Sequence, residues 1–115
     1  MHEFSIAAEI IDIVERSVGK GVPVRSVGLV LGALSGVNAE SLTFCFTELA
    51  GAHGMGRAEL IIDARPARVR CRGCAHEYET EAFETGCPGC GTAAVDILSG
   101  YECDINAITY EDENA

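Results

Sequence analysis

Basic residues are scarce in this chain: eight Lys and Arg stand against 18 Asp and Glu in 115 residues, a formal net charge of −10. Nucleic-acid affinity rests on Lys and Arg neutralising phosphates, so a DNA or RNA partner is not expected. Long apolar runs are missing too, and membrane insertion is not expected. No basic region leads into an apolar stretch after Met1-His2-Glu3-Phe4, so no signal peptide is expected and the expected compartment is the cytoplasm. The chain shows no phosphate-binding glycine loop and no set of nucleophile, base and orienting group, so it does not read as an enzyme. Internal repeats and low-complexity tracts are also absent.

What is present is an ordinary globular composition, 48% hydrophobic and 23% charged, in a length that suits one small domain carrying a smaller module. Residues 5–18 place Ile6, Ile10, Ile13 and Val14 at helical spacing, with Glu9, Asp12, Glu15 and Arg16 on the other face. Residues 1–3 would then precede this helix and bury little. Gly19, Gly21 and Pro23 end it. A strand follows over 24–31, with Val27, Leu29 and Leu31 on one face. Asn38 is a good cap for a second helix whose stripe is Leu42, Cys45, Phe46 and Leu49, ending before Gly51. Residues 59–64 form a second strand. After Gly100, Tyr101, Cys103 and Ile105 alternate with Glu102, Asp104 and Asn106 in a third, whose alternation slips near Ala107. The acidic tail 111–115 is expected to fray. The fold class is therefore α+β: a three-stranded sheet with two helices, formed by residues 1–65 and 99–115, into which a module of residues 66–98 is inserted.

That module has few aliphatics and many turns, so something other than an apolar core must hold it. Its cysteines supply the answer. Cys71-Arg72-Gly73-Cys74 and Cys87-Pro88-Gly89-Cys90 are C-x2-C turns with twelve residues between them. Each turn aims two thiolates at one point, and two such turns make the sulfur tetrahedron that structural zinc takes. Gly73, Gly89 and Gly91 are expected to supply positive φ angles. Cys87-Pro88-x-Cys90-Gly91 is also similar to the second knuckle of rubredoxin, but rubredoxin's knuckles lie much further apart and it lacks a helical half, so zinc is preferred to iron. Four thiolates on one zinc ion leave a charge of about −2, which Arg68, Arg70 and Arg72 are placed to offset. His76 stays on the surface because the cysteines already complete a tetrahedron. Cys45 and Cys103 read as buried small hydrophobes.

His2 gains interest from its position. With a free amine on Met1, the terminal nitrogen, the His2 amide and the His2 imidazole can close adjoining chelate rings on one ion. Such a planar nitrogen set suits nickel(II) or copper(II) better than zinc or magnesium. Glu3 adds an amide nitrogen and a carboxylate. His53 and Met55 are too few donors to make a second soft-metal site.

Here the chain resembles the hydrogenase maturation nickel chaperones of the HypA/HybF family. The resemblance runs through Met1-His2-Glu3, Gly32-Ala33-Leu34-Ser35-Gly36-Val37, the Cys71/Cys74 and Cys87/Cys90 pairs, and Ser99-Gly100-Tyr101-Glu102. It implies a nickel domain of two helices and a three-stranded sheet with an inserted zinc domain. It implies nickel bound by His2 with the Met1 amine and Glu3, and zinc bound by Cys71, Cys74, Cys87 and Cys90. Glu40 matches a position where relatives can place an acid near the nickel, although the start of a helix accounts for it equally. The function implied is delivery of Ni(II) to a [NiFe]-hydrogenase large subunit, with the family's partner GTPase; a homodimer is compatible with it. Two other readings stand beside this one: a zinc-ribbon interaction module with an inert N-terminus, and a small rubredoxin-like iron electron carrier.

Overall fold

The computed structural model describes residues 2–81 and 86–111. Met1, residues 82–85 and the tail beyond Glu111 lie outside the described residues, and with them the expectations for the Met1 amine and for tail fraying. The elements are α1 (His2–Val18), β1 (Val24–Gly32), α2 (Ala39–Ala52), β2 (Glu59–Arg65), β3 (Ala67–Cys71), β4 (Glu77–Thr80), β5 (Val95–Ser99) and β6 (Cys103–Tyr110). They form a three-stranded sheet of order β2-β1-β6 and another of order β4-β3-β5. The α+β class with two helices and a cysteine-bearing inserted module is what the structure has. The chain separates into one unit of Met1–Val30, Val37–Asp63 and Asp104–Ala115, and another of Leu31–Gly36 and Ala64–Cys103.

The first unit holds most of the apolar core. Ala7, Ile10, Ile11 and Val14 of α1 are buried with Leu42, Phe46 and Ala50 of α2, Val24, Val27 and Leu29 of β1, and Leu60 of β2. The buried stripe of α1 is therefore rotated from the one expected: Ile6 and Ile13 are only half-buried, and Ala7 and Ile11 take the centre. A small Ala at the contact lets two helices approach closely, which favours this rotation. On α2, Cys45 and Leu49 are half-buried and Ala50 takes their place inside. That helix also runs through Gly51 to Ala52 and is capped at its C-terminal end by His53, so it does not stop before the glycine. Its start is as expected, with the Asn38 side chain accepting a hydrogen bond from the Ser41 N–H at 2.9 Å. On β6, Asn106 and Ala107 are both exposed, which is the expected slip in alternation. Cys103 on that strand is half-buried, not buried.

The larger correction lies at the N-terminus. α1 begins at His2, so residues 2 and 3 do not precede it. Glu3 is 9% exposed, and its Oε2 accepts a hydrogen bond from the Asn38 N–H at 3.1 Å. The carboxylate thus ties the start of α1 to the cap of α2, within the first turn, where the helix dipole also favours negative charge.

The second unit has a sheet of its own, which composition concealed. Ala67, Val69 and Cys71 point inward along β3 while Arg68 and Arg70 alternate outward. β3 pairs antiparallel with β4, placing Val69 opposite Tyr78, and antiparallel with β5, placing Val69 opposite Ile97. The arginines meet acids on the neighbouring strands: Arg70 reaches Glu77 at 3.1 Å, Arg68 reaches Glu77 at 3.4 Å, and Arg72 reaches Asp96 at 2.9 Å. Arg70 and Arg68 hold the Glu77 carboxyl below its ordinary range. The glycine segments meet here as well. A side chain on Gly32 would overlap the Gly100 carbonyl, and the Leu34 N–H donates to that same carbonyl at 2.7 Å.

The Asn38 N–H holds the Glu3 pKa down at about 2. A carboxylate with a depressed pKa stabilises the fold above its ordinary range, and that contribution is lost as the pH falls toward the folded value. Thermal denaturation should therefore find Glu3→Ala less stable than the parent near neutral pH, with the gap closing as the pH approaches 2. A gap that does not change with pH would contradict the tie.

Candidate metal centres

The first centre is built by the two knuckles. Cys71 is the last residue of β3, and its N–H donates to the His76 carbonyl at 2.8 Å, folding the chain back into β4. The Cys87 N–H donates to the Thr92 carbonyl at 2.8 Å in the equivalent way. Inside each turn the backbone points at sulfur: the Gly73 and Cys74 N–H groups donate to Cys71 Sγ at 3.3 and 3.4 Å, and the Gly89 N–H donates to Cys87 Sγ at 3.2 Å. The Sγ atoms of Cys71, Cys74, Cys87 and Cys90 all lie within 4.8 Å of one another. Cys71 and Cys90 are 3.4 Å apart and Cys74 and Cys87 3.7 Å apart.

Amide donors and converging sulfurs suit a tetrahedral soft ion, and the cluster fits a structural zinc. The local electrostatics agree with a thiolate site. The Cys74 N–H, with help from Cys90 and the Gly73 N–H, holds the Cys71 thiol down at about 7. The His76 N–H pulls Cys74 down, but the adjacent Cys87 sulfur, burial and Cys71 outweigh it and push the thiol up to about 12. Four thiols this close cannot all ionise without a cation among them.

The turn glycines act differently from what the motif suggested. Gly91 has the expected positive φ, at 80°, but Gly73 and Gly89 do not, and after the first pair the residue in that conformation is Ala75, at 64°. Ala75 adopts it to give its N–H to the Cys71 carbonyl at 3.0 Å, as Gly91 gives its own to Cys87 at 2.8 Å. His76 is exposed and stacks on Tyr78 with ring centroids 5.8 Å apart, away from the role of ligand.

The second candidate centre is the terminus. His2 is exposed at the first residue of α1, and its Nε2 lies 3.6 Å from Glu3 Oε2. The first N–H groups of a helix have no carbonyl partner within it, so the His2 amide is not committed to the helix ladder. Beside Glu3 a groove of about 430 Å³ opens, lined by Glu3, Phe4, Glu40, Ser41, Phe44 and Cys45. Glu40 stands exposed in the first turn of α2 on its rim. The structure thus brings His2, Glu3 and Glu40 to one end of the helix pair. His53 and Met55 are not part of it: Met55 is buried, and His53 Nδ1 lies 3.3 Å from Glu15 Oε2. The Glu3 tie to Asn38 had no local signal, because its partner is a backbone N–H far along the chain.

Comparison with known proteins follows the same lines. The family model described as "Hydrogenase/urease nickel incorporation, metallochaperone, hypA" matches residues 1–110. The hydrogenase maturation factor HypA of Chlorobium luteolum is 38% identical over 116 residues, covering 98% of each chain. That of Streptomyces avermitilis is 40% identical, covering 97% of this chain and 88% of its own. In solved structures, the solution structure of the Ni metallochaperone HypA from Helicobacter pylori matches with a TM-score of 0.63 at 20% identity, covering 98% of this chain and all of that one. A second HypA solution structure matches with a TM-score of 0.67 at 21% identity, covering 96% of this chain and 97% of its own. Both structures share the fold.

A left-handed conformation costs an L-residue about 1–2 kcal/mol, partly offset when glycine replaces it by about 0.5–1 kcal/mol of extra chain entropy. Ala75→Gly should therefore stabilise the second unit by about 0.5–1 kcal/mol, read by denaturant titration of the metal-loaded chain. Gly91→Ala should move stability the other way. A destabilised Ala75→Gly would show that the turn is not held as described.

Proposed function

The chain belongs to the HypA family of nickel-incorporation metallochaperones, and from that premise we propose that it carries nickel(II) at its N-terminus and is not an enzyme. In this reading the Met1 amine, the His2 amide and the His2 imidazole hold the ion, with Glu3 contributing, and Cys71, Cys74, Cys87 and Cys90 hold a resident zinc. Residues 1–65 and 99–115 form the nickel domain and residues 66–98 the zinc domain. The recipient is a [NiFe]-hydrogenase large subunit and the working partner a maturation GTPase, in the cytoplasm. No helix among the described residues is long and apolar enough to cross a membrane.

The observation that carries the nickel reading is the placing of His2: exposed, first in α1, and next in sequence to Met1, whose amine this reading takes as free. Taking the proton from an amide inside a helix would break a ladder bond, whereas at this position it breaks none. The positive end of the helix dipole opposes a cation there, and the ionised Glu3 and the exposed Glu40 offset it. A bound ion at an exposed terminus can pass to another protein by exchange of ligands, with no cage to open. The zinc supplies a crosslink in place of an apolar core. The chain's own residues supply the knuckle amides that stabilise the thiolates.

Three changes should each abolish tight nickel binding in a calorimetric titration: His2→Ala, acetylation of the N-terminus, and extension of the N-terminus by one or two residues. They remove in turn the imidazole, the free amine and the spacing between them. Protons compete for the same atoms, so affinity should fall as pH is lowered. His2 is exposed, and His2→Ala should leave the melting temperature and zinc content alone, whereas a Glu3 variant would also loosen the helix pair. Unchanged affinity after acetylation or extension would overturn the reading in favour of a nickel site made of side chains alone, and no tight nickel binding by the chain with a native terminus would favour the zinc-ribbon module with an inert terminus.

In the cysteine centre, elemental analysis should find zinc in the purified chain. Replacing any of the four cysteines with serine should unfold the second unit while the first keeps its helices. Iron in its place would favour the electron-carrier reading.

A further inference from the structure

The cysteine cluster is asymmetric in a way that a purely structural site does not need. Cys71 and Cys87 are 1% and 3% exposed, while Cys74 and Cys90, the second cysteines of their turns, are exposed. The close contacts run across the turns, not along them, so each couples an exposed sulfur to a buried one: Cys90 to Cys71 at 3.4 Å and Cys74 to Cys87 at 3.7 Å. A glycine borders each of these edges. A Cβ on Gly73 would lie 3.4 Å from Cys90 Sγ and 3.6 Å from Cys71 Sγ, and one on Gly89 would lie 3.6 Å from both Cys74 Sγ and Cys87 Sγ. Neither glycine covers its sulfur edge with a side chain, Thr92 Cγ2 standing 3.3 Å from where a Cβ on Gly73 would be, and each edge has one exposed sulfur, Cys90 or Cys74.

We propose that these two edges are peroxide-sensitive disulfide sites, at which oxidation links Cys71 to Cys90 and Cys74 to Cys87 and expels the zinc. The inference rests on the reading that the four cysteines hold zinc. In the first step an exposed thiolate, Cys90 or Cys74, attacks one oxygen of a hydroperoxide. The O–O bond breaks, a sulfenic acid forms on sulfur, and hydroxide or alkoxide leaves. In the second step the buried thiolate facing it attacks the sulfenic sulfur, forming the S–S bond and releasing hydroxide. Two electrons pass from the sulfur pair to one peroxide, and two protons from solvent complete the water or alcohol. A disulfide cannot serve as a pair of thiolate ligands, so the ion loses its site. The second unit, whose buried apolar set among the described residues is Leu31, Ala67 and Val69 besides two of these cysteines, then opens. A thiol reductant and zinc restore it.

The test uses the full zinc-loaded chain, with zinc measured before oxidation so that the zinc reading is judged separately. Hydrogen peroxide is added in graded amounts, zinc release is followed with a chromogenic chelator, and free thiols are trapped by alkylation. Trypsin cleavage after Arg72 separates Cys71 from Cys74, and fragmentation of the linked peptides distinguishes Cys87 from Cys90. Cross-turn linkages, loss of the chain's zinc in step with their formation, and Cys45 and Cys103 still alkylable are the expected results. Gly89→Ala, which has no positive φ to strain, should keep its zinc and slow formation of the Cys74–Cys87 linkage specifically. Linkages within the turns, sulfinic acid without disulfide, prior oxidation of Cys45 or Cys103, or an unchanged rate in Gly89→Ala would each overturn the proposal. Absence of zinc from the purified chain, which is read before any peroxide is added, would overturn the zinc reading and this proposal with it.

Discussion

Four sulfur atoms within 4.8 Å of one another stand where residues 64–103 would otherwise need an apolar core. A short segment cannot bury enough aliphatic surface to offset the entropy of ordering it, and a metal crosslink is one of the few remedies. Much of this unit follows from that constraint. Cys71 must end a strand so that the turn after it can point two sulfurs at one spot, and β4 returns at once through the His76 carbonyl. The outward arginines then meet Glu77 and Asp96 across strands. Exposed pairs of this sort contribute about 0–1 kcal/mol each, so they set register more than they add stability.

The first unit answers the opposite requirement. Its core is ordinary, with Phe46, Ile11, Leu29 and Leu42 all fully buried, and its distinctive feature is at the edge. A carrier must hold an ion firmly enough to collect it and openly enough to lose it. A site inside the helix pair would meet the first need only. The site proposed at the start of α1 would meet both, because Glu3 is fixed to Asn38 from below while His2, one residue earlier, remains in solvent. Neighbouring residues on a helix point about 100° apart, so a single turn carries a buried anchor and an exposed imidazole side by side.

The features legible in the sequence were those with a local period. The C-x2-C pairs, the Asn38 cap and the alternation of β1 all act over a few residues, and each was found where its spacing placed it. Features decided by distant partners were not legible. The four isoleucines of α1 allow two overlapping stripes, and packing against α2 selected the one with Ala7 and Ile11 inside. Gly51 costs a helix about 1 kcal/mol, yet burial of Ala50 holds α2 through it. The arginine run hid β3, although Ala67, Val69 and Cys71 between the arginines carried a strand's period of two. Nothing near Glu3 in the chain indicates that its carboxylate accepts from residue 38.

The glycines show why a resemblance can be specific without naming ligands. Gly32 and Gly100 serve a close approach of backbone: the Gly100 carbonyl lies where a side chain on Gly32 would be, and the Leu34 N–H completes the contact. Gly100 takes a φ of 142°, a conformation that other residues rarely adopt. The requirement is therefore reciprocal: one glycine leaves the space and the other supplies the backbone angle that fills it. Gly73 and Gly89 follow the same logic at the cysteine cluster, where their value is the absence of a Cβ beside sulfur and not a special angle. In such a chain the metal ligands explain what is bound. The glycines explain why the backbone can come close enough to build the second unit around them.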